Sequence, residues 1–391
     1  MSEPSFRLRW YPRVLLGVLA VVVVFAAFAG SDARTLSGPL GGDFPSFYGA
    51  GSIVADGHGD QLYDAELQAA VQEELIGEDG GFLYFAYPVF VAYAYAPLSF
   101  LPYRLAWVLH VVFMACALWA AIRLARPLLP AVIRTTDHEL AVLAVALATY
   151  PILRAVLGGQ NTTVTLFLLV AVWRFASDDN DVLAGIALAA MLYKPQFGLP
   201  LLLLVMLARR WRIVGWWSAG AVGLYVVSAA FTGPAWVAEW LRRAGDFDDL
   251  NVVVNGDLMV SAIGFFRNLI GPEAVAAVVL AGVIVVLVAL PTGSSWWRDH
   301  VSSSSVALAA PALVIVAPSA LYYDAGLMLV TIAVALAMKV RTSTAVTWAV
   351  VAVSWSQLAA ETLGWSPLFF VVLAVWAWAA FGWRSERITP V

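Results

Sequence analysis

Three charged residues border apolar stretches of the sequence and could do chemistry there. Asp43 lies in a Gly-Gly-Asp-Phe-Pro turn, and Arg154 and Lys194 stand at the ends of apolar runs. A charge at such a boundary costs free energy unless it is hydrated or paired, so each is a candidate for function. Two of them also have a structural alternative. Asp43 could cap a helix, and Lys194 could extend its ammonium group to the membrane surface.

Amide, aromatic and further acidic side chains accompany these charges. The side chains that we expect to contact a substrate are Tyr48, Tyr87, Gln160, Asn161, Gln196, Tyr323 and Asp324. For Asp324, capping of a helix is the alternative. A carboxylate can deprotonate an acceptor hydroxyl, cations bind phosphate, and aromatic rings stack on sugar faces. The combination suits a phosphate-bearing polar head group with a lipid tail, bound at the membrane boundary.

The composition indicates that membrane helices position these residues. The 391 residues are 62% hydrophobic and 12% charged, with a mean hydropathy of +0.84, whereas a soluble domain is about 25% charged. The net charge of −4 lacks the basic excess that binding of nucleic acid requires. Cys116 is the single cysteine, so the sequence contains neither a disulfide framework nor a sulfur-based metal site.

The hydropathy pattern predicts an all-α polytopic membrane protein that forms one domain over residues 1–391. A span needs about 20 apolar residues, or somewhat fewer where helices pack together. We predict about twelve spans, over 13–30, 103–126, 138–153, 161–176, 181–193, 195–209, 213–231, 273–292, 304–318, 321–338, 344–361 and 366–383. Pro88 and Pro97 bracket the apolar segment 86–101, which we predict to be re-entrant or interfacial; a thirteenth span is the alternative.

The distribution of positive charge predicts the orientation. With a cytoplasmic N-terminus, most of the 22 Lys and Arg residues fall on the cytoplasmic side, including the clusters at 209–212 and 384–387. Both termini are then cytoplasmic and the candidate site is extracytoplasmic. The outer segments 31–86 and 232–272 are too long to be simple turns, so we expect them to build the site. Within 44–76 we predict two short helices at the membrane surface.

A series of short motifs runs through most of the chain in a characteristic order. In chain order they are Asp43-Phe44, Phe47-Tyr48, 60–64, 85–88, 96–98, Leu101-Pro102, 159–161, Lys194-Pro195 and 209–212. This order resembles glycosyltransferase family 87, also known as the DUF2029 family. The resemblance implies a GT-C-type bundle of membrane helices with juxtamembrane helices in the first outer loop. It also implies a bacterial cell membrane, a polyprenyl-phosphate sugar as donor, mannose or arabinofuranose as the sugar, and a lipid or glycan acceptor.

The same resemblance implies roles for the three charged residues. Asp43 matches the catalytic base of an inverting transfer, and Lys194 and Arg154 fit the binding of the donor phosphate. The family pattern leads us to expect a histidine near the late outer motif, where this chain has residues 321–324, Leu-Tyr-Tyr-Asp. That departure affects the donor contact and the sugar preference.

The sequence predicts neither a metal nor another cofactor. The nearest approach to a metal motif is Asp246-Phe247-Asp248-Asp249, which we assign to a solvated loop. The alternative function is a transporter or flippase of a lipid-linked sugar. That class predicts inverted repeats and charges near the middle of the membrane, whereas this sequence has no regular repeat and has its polar residues at helix ends on one side.

Overall fold

The computed structural model describes residues 6–28, 34–35, 38–77 and 81–383, which are almost wholly helical. The helices of the first half are α1 Phe6–Phe28, α2 Phe44–Ala55, α3 Ala65–Ile76, α4 Val89–Ser99, α5 Tyr103–Ala125, α6 Thr136–Leu147, α7 Tyr150–Leu157, α8 Thr162–Ser177, α9 Asp181–Ala190 and α10 Pro195–Leu207. Those of the second half are α11 Trp211–Thr232, α12 Trp236–Asn255, α13 Ala262–Ile270, α14 Val275–Asp299, α15 Ser303–Val316, α16 Met328–Ala337, α17 Ser343–Val353, α18 Ala360–Leu363 and α19 Leu368–Ala377.

Shorter pieces of structure connect these helices. Two-residue strands β1 Arg34–Thr35 and β2 Gly38–Pro39 pair antiparallel before α2. Single turns of 3₁₀-helix are Gly59–Gln61, Met191–Tyr193 and Gly256–Leu258, longer 3₁₀ segments are Tyr322–Leu327 and Ser354–Ala359, and a π-helical turn at Trp378–Gly382 follows α19. The segment Tyr322–Leu327, which precedes α16, is the one that bears on the candidate site.

Four helices in the described ranges are long and apolar enough to cross a bilayer: Trp10–Phe28 within α1, and α5, α11 and α14. The pair α6 and α7, bent by 89° at its break, would make a fifth if it forms one span. Most of the other predicted spans correspond to apolar helices of 10–17 residues, shorter than the roughly 20 residues of a full span. The chain is therefore an all-α protein with the features of a membrane protein, and the number of twelve spans stays a prediction.

The break between α6 and α7 interrupts the span predicted over 138–153. Thr149 has an extended backbone with ψ of 137°, and Pro151 stands in the first turn of α7. An extended residue ends the hydrogen-bond ladder of a helix, and proline is tolerated in the first turn because its missing N–H would be unpaired there. The segment predicted as one span over 138–153 is therefore divided between two helices that meet at a sharp bend.

The apolar side chains that cover the long helices are largely exposed. Val222 of α11 is 62% exposed and Leu290 of α14 is 67% exposed. A contiguous apolar surface of this kind is unfavourable in water and suits the hydrocarbon of a bilayer. These faces support the assignment to a membrane.

Both outer segments contain helices. In the first, α2 and α3 confirm the two short helices predicted within 44–76, and the side chain of Asp64 accepts hydrogen bonds from the backbone at the start of α3. The segment 86–101, predicted to be re-entrant or interfacial, contains the short helix α4. The second outer segment contains α12 and α13, so residues 246–249 are helical. The assignment of residues 246–249 to a loop is wrong. The side chains of the three aspartates among them lie outside the described part of the structure.

Packing between distant helices assembles the candidate site. The helix α2 packs along α4, where the rings of Phe47 and Tyr95 stack with centroids 4.8 Å apart. The helix α7 packs on the 3₁₀ segment Tyr322–Leu327, which also contacts α8 and α15. These contacts bring the turn before α2, the turn between α7 and α8, and the start of the 322–327 segment together.

Candidate active site

Two glycine-rich turns dock against each other and hold Asp43. Gly41 precedes it with φ of 89°, and the backbone N–H of Asp43 donates to the carbonyl of Gly158 over 3.0 Å. Gly159, with φ of 75°, packs so closely that a Cβ there would overlap the backbone nitrogen of Phe44. A residue with a side chain would be strained at this φ and would separate the turns. Glycine therefore fixes the position of Asp43 in the fold.

The carboxylate of Asp43 is directed to the site and does not cap the following helix. Asp43 stands at the N-terminus of α2, but its side chain makes no capping hydrogen bond. It accepts a hydrogen bond from the amide nitrogen Nε2 of Gln160 instead. The capping alternative is therefore wrong.

Burial raises the pKa of the Asp43 carboxyl above the ordinary value for aspartate. The hydrogen bond from Gln160 and the positive charges of Arg154 and Lys194 act in the opposite direction and offset part of this effect. A carboxylate with a raised pKa binds a proton more readily than an exposed aspartate does. The environment therefore suits a general base.

Lys194 forms a buried ion pair with Asp324. Its ammonium group lies 2.9 Å from Oδ1 of Asp324, and the side chains of the two residues are 3% and 4% exposed. The hydroxyl of Thr162 donates to the same carboxylate oxygen, also over 2.9 Å. A charge buried away from water needs such a partner. Extension of Lys194 to the membrane surface and capping by Asp324, which lies inside the segment Tyr322–Leu327, are both wrong.

A cavity of about 620 Å³ joins these groups. The predicted site residues that line it are Asp43, Tyr87, Gln160, Lys194, Gln196, Tyr323 and Asp324. Its charged lining residues, within the described part of the chain, are Asp43, Lys194 and Asp324. The two outer segments, 31–86 and 232–272, both contribute lining residues. The charged end of the cavity thus contains two carboxylates and an ammonium group.

Three predicted site residues lie outside the cavity lining. The hydroxyl of Tyr48 donates to the backbone carbonyls of Leu101 and Ser99 and so ties α2 to the turn after α4. Asn161 is buried at the start of α8, and its backbone carbonyl accepts a hydrogen bond from the hydroxyl of Tyr193. Arg154 is exposed on α7. Tyr48 and Asn161 therefore support the fold, and Arg154 acts on Asp43 only through its charge.

One face of α12, which lies in the segment 232–272 expected to build the site, forms a wall of the cavity, although none of its residues was predicted individually. Trp240, Ala244, Phe247, Asn251 and Asn255 all line it. They follow one another at spacings of three and four residues, which places them on one face of a helix. That spacing is visible in the sequence, although residues 246–249 within it were assigned to a solvated loop.

Aromatic contacts and a backbone hydrogen bond hold α12 against the first outer segment. The ring of Phe247 stacks on that of Tyr84, with centroids 6.0 Å apart. The indole nitrogen of Trp240 donates to the carbonyl of Ala86 over 2.9 Å. The wall is therefore connected directly to the segment that contains Asp43.

A second, apolar cavity of about 300 Å³ adjoins the first. The two share the lining residues Pro88, Pro195, Leu199, Trp240 and Leu241. The remaining lining of the second cavity is aliphatic and aromatic and includes side chains of α11. The cavity with the charged end thus lies beside an apolar one.

No group of three or more His, Cys, Asp and Glu side chains in the described ranges could hold a metal ion. The cations near Asp43 are the side chains of Lys194 and Arg154.

The chain matches a known protein family. The family model for glycosyltransferase family 87 matches residues 85–322, more than half of the chain. The matched range includes Gln160, Lys194 and the whole of α12, whereas Asp43 and Asp324 lie outside it. No curated protein matches the chain.

Proposed function

Because the chain belongs to glycosyltransferase family 87, we propose that it transfers mannose or arabinofuranose from a polyprenyl-phosphate donor to a lipid or glycan acceptor. We place this reaction on the extracytoplasmic face of a bacterial inner membrane, with both termini in the cytoplasm. The excess of Lys and Arg in the segments assigned to the cytoplasm supports that orientation.

The observation that carries the proposal is that the cavity with the charged end lies beside an apolar cavity and shares five lining residues with it. A polyprenyl-phosphate sugar has a polar head and a long apolar chain, so it needs a site with charged groups next to an apolar one. The larger cavity has Lys194 and two carboxylates at its charged end, and the smaller is lined mainly by apolar residues. A nucleotide sugar lacks the apolar chain and would leave the smaller cavity unused.

Asp43 is the base in this mechanism. Its carboxylate takes the proton of an acceptor hydroxyl as the hydroxyl oxygen attacks the anomeric carbon. Attack from the face opposite the phosphate inverts the configuration at that carbon. The raised pKa of Asp43 favours its uptake of the proton, which it later releases to solvent. Gln160 orients the carboxylate through its amide hydrogen bond.

Lys194 stabilises the leaving group. As the bond between the anomeric carbon and the phosphate oxygen breaks, polyprenyl phosphate leaves with the bonding electrons and gains negative charge. An ammonium group has three N–H donors, and the pairing of Lys194 with Asp324 uses one of them. The others can donate to the phosphate, where charge-assisted hydrogen bonds are strongest. Arg154 adds positive charge at longer range.

The choice of donor tests this function. Purified protein in nanodiscs is incubated with membrane lipid extract and, in parallel, with radiolabelled polyprenyl-phosphate mannose, polyprenyl-phosphate arabinofuranose and GDP-mannose. We expect label in the lipid or glycan fraction from one of the polyprenyl donors and none from GDP-mannose. Transfer from GDP-mannose alone, or from none of the three, would contradict the proposal.

Lys194→Met provides the matched variant, because it removes the ammonium group and keeps the length of the side chain. Lys339→Met is its control, since Lys339 is an exposed lysine that lines neither cavity. We expect transfer to be lost in the first and kept in the second.

A further inference from the structure

An uncharged polar cluster lies in the wall of the large cavity and has no role in the chemistry described above. It consists of Asn251 and Asn255 on α12 and Ser319 in the segment before Tyr322–Leu327. The amide nitrogen of Asn255 donates to Oδ1 of Asn251 over 2.8 Å. The amide nitrogen of Asn251 donates to the hydroxyl oxygen of Ser319 over 3.0 Å. The three side chains are thus linked in a row by two hydrogen bonds.

Because both hydrogen bonds donate in the same direction, from Asn255 towards Ser319, hydrogen-bonding groups remain for a ligand at both ends of the row. The hydroxyl oxygen of Ser319 accepts from Asn251, so its own hydrogen is free to be donated. Each amide has two N–H groups and an acceptor oxygen, and the contacts above leave Oδ1 of Asn255 as an acceptor. Asn251, which is 3% exposed, fixes the other two. A donor and an acceptor are thus held on the cavity wall by a buried amide.

The chemistry of the cluster fits sugar hydroxyls better than phosphate. Hydroxyl groups both donate and accept, so they match a surface with groups of both kinds, whereas phosphate calls for cations. The charged lining residues of the cavity belong to the other group, around Lys194. The rings of Trp240 and Phe247 lie on the same face of α12 as the two asparagines and offer apolar surface for the face of a sugar ring.

We propose that Asn251, Asn255 and Ser319 form a sugar-binding subsite of this cavity, which recognises ring hydroxyls of the donor sugar or of a sugar in the acceptor. This inference rests on the proposed function for the identity of the compounds, but its test measures binding and does not require transfer.

Binding to nanodisc-embedded protein is measured for three probes: undecaprenyl phosphate, undecaprenyl-phosphate mannose and methyl α-D-mannopyranoside. The variants are Ser319→Ala and Asn255→Ala. Ser218→Ala is the control, because its exposed hydroxyl bonds within its own helix, to the carbonyl of Val214. Thermal unfolding of each variant verifies that it is folded.

A hydrogen bond between uncharged groups contributes about 0.5–1.5 kcal/mol, so each variant should weaken binding of a sugar-bearing probe by about 3- to 10-fold. Undecaprenyl phosphate should bind the variants as it binds the parent. Loss confined to undecaprenyl-phosphate mannose assigns the cluster to the donor sugar, and loss confined to the methyl mannoside assigns it to an acceptor sugar.

Equal weakening of undecaprenyl phosphate and the sugar-bearing probes would overturn the inference, because the cluster would then act through the fold or the phosphate. Unchanged binding of all three probes would overturn it as well. A parent protein that binds the probes as expected but transfers no sugar would contradict the proposed function and leave the subsite standing.

Discussion

Replacement of Lys194 by methionine should separate its role in the fold from its role in the reaction. The substitution removes the ammonium group and leaves the carboxylate of Asp324 buried, with the Thr162 hydroxyl as its remaining hydrogen-bond donor. Removal of one partner of a buried ion pair costs about 3–5 kcal/mol, because the other charge stays in a medium that solvates it poorly. We therefore expect the free energy of unfolding of the single variant to fall by about 3–5 kcal/mol.

The double variant Lys194→Met/Asp324→Leu distinguishes the two roles. Replacement of a whole buried pair by apolar residues is often neutral, so the double variant should regain most of the stability that the single variant loses. It should not regain sugar transfer, because the ammonium group is still missing. Stability is measured as the temperature at which half of the nanodisc-embedded protein has unfolded, followed by tryptophan fluorescence. Lys339→Met should unfold as the parent does.

Two results would refute this reasoning. A single variant as stable as the parent would mean that the Lys194–Asp324 pair carries no stability. A double variant that transfers sugar at the parent rate would mean that Lys194 is not needed for the departing phosphate.

Three further predictions concern the turn that holds Asp43. Gln160→Leu removes a hydrogen bond that lowers the pKa of Asp43, so the acidic limb of the transfer-rate profile should move to higher pH; a limb that stays in place contradicts this role. Gly159→Ala should lower both thermal stability and transfer, because its Cβ would overlap Phe44. Gly57→Ala is its control, because φ of Gly57 is also positive but no atom lies near the position of the added Cβ. Its free energy of unfolding should fall only by the backbone cost of about 1 kcal/mol. Equal losses of stability in the Gly159→Ala and Gly57→Ala variants would refute the close packing at Gly159. Because the pKa of Asp43 is raised, the folded state binds a proton at this carboxyl more tightly than the unfolded state does. The contribution of Asp43 to the free energy of unfolding therefore falls as the pH rises from the ordinary pKa of aspartate through the raised pKa. Asp43→Asn should remove that part of the pH dependence of unfolding.

Local patterns in the sequence predicted the parts of the structure that depend on neighbouring residues. The helices α2 and α3, and the break between them, followed from apolar spacing and the glycine and aspartate residues at 56–60. The apolar character of the long helices followed from composition. Such features are local, so one sequence is sufficient to find them.

Contacts between distant residues could not be predicted in this way. The pair Lys194–Asp324 joins residues 130 apart in the chain, and neither has a partner of opposite charge nearby in sequence. Tyr48 was assigned to the substrate because tyrosines often bind sugars, but the packing of α2 on α4 presents two backbone carbonyls to its hydroxyl. Whether the Tyr48 hydroxyl contacts a substrate or the backbone therefore depends on how α2 packs in the fold, which the local sequence does not show.

The amphipathic face of α12 was a signal that the sequence contained and that the prediction missed. Residues 246–249 of this helix were assigned to a solvated loop, yet the lining residues recur at helical spacing from Trp240 to Asn255. That spacing is a better guide to the structure of the segment than the acidic composition of residues 246–249.

Comparison of the parent protein with Asp43→Asn in the sugar-transfer assay tests the central claim most directly. Asparagine keeps the shape of the side chain and can still accept the hydrogen bond from Gln160, but it cannot take up the proton. We predict inversion at the anomeric carbon of the product made by the parent, and a rate at least about 100-fold lower in a folded Asp43→Asn protein that binds polyprenyl-phosphate sugar as before. Equal rates for the two proteins, or a product with retained configuration, would contradict the account.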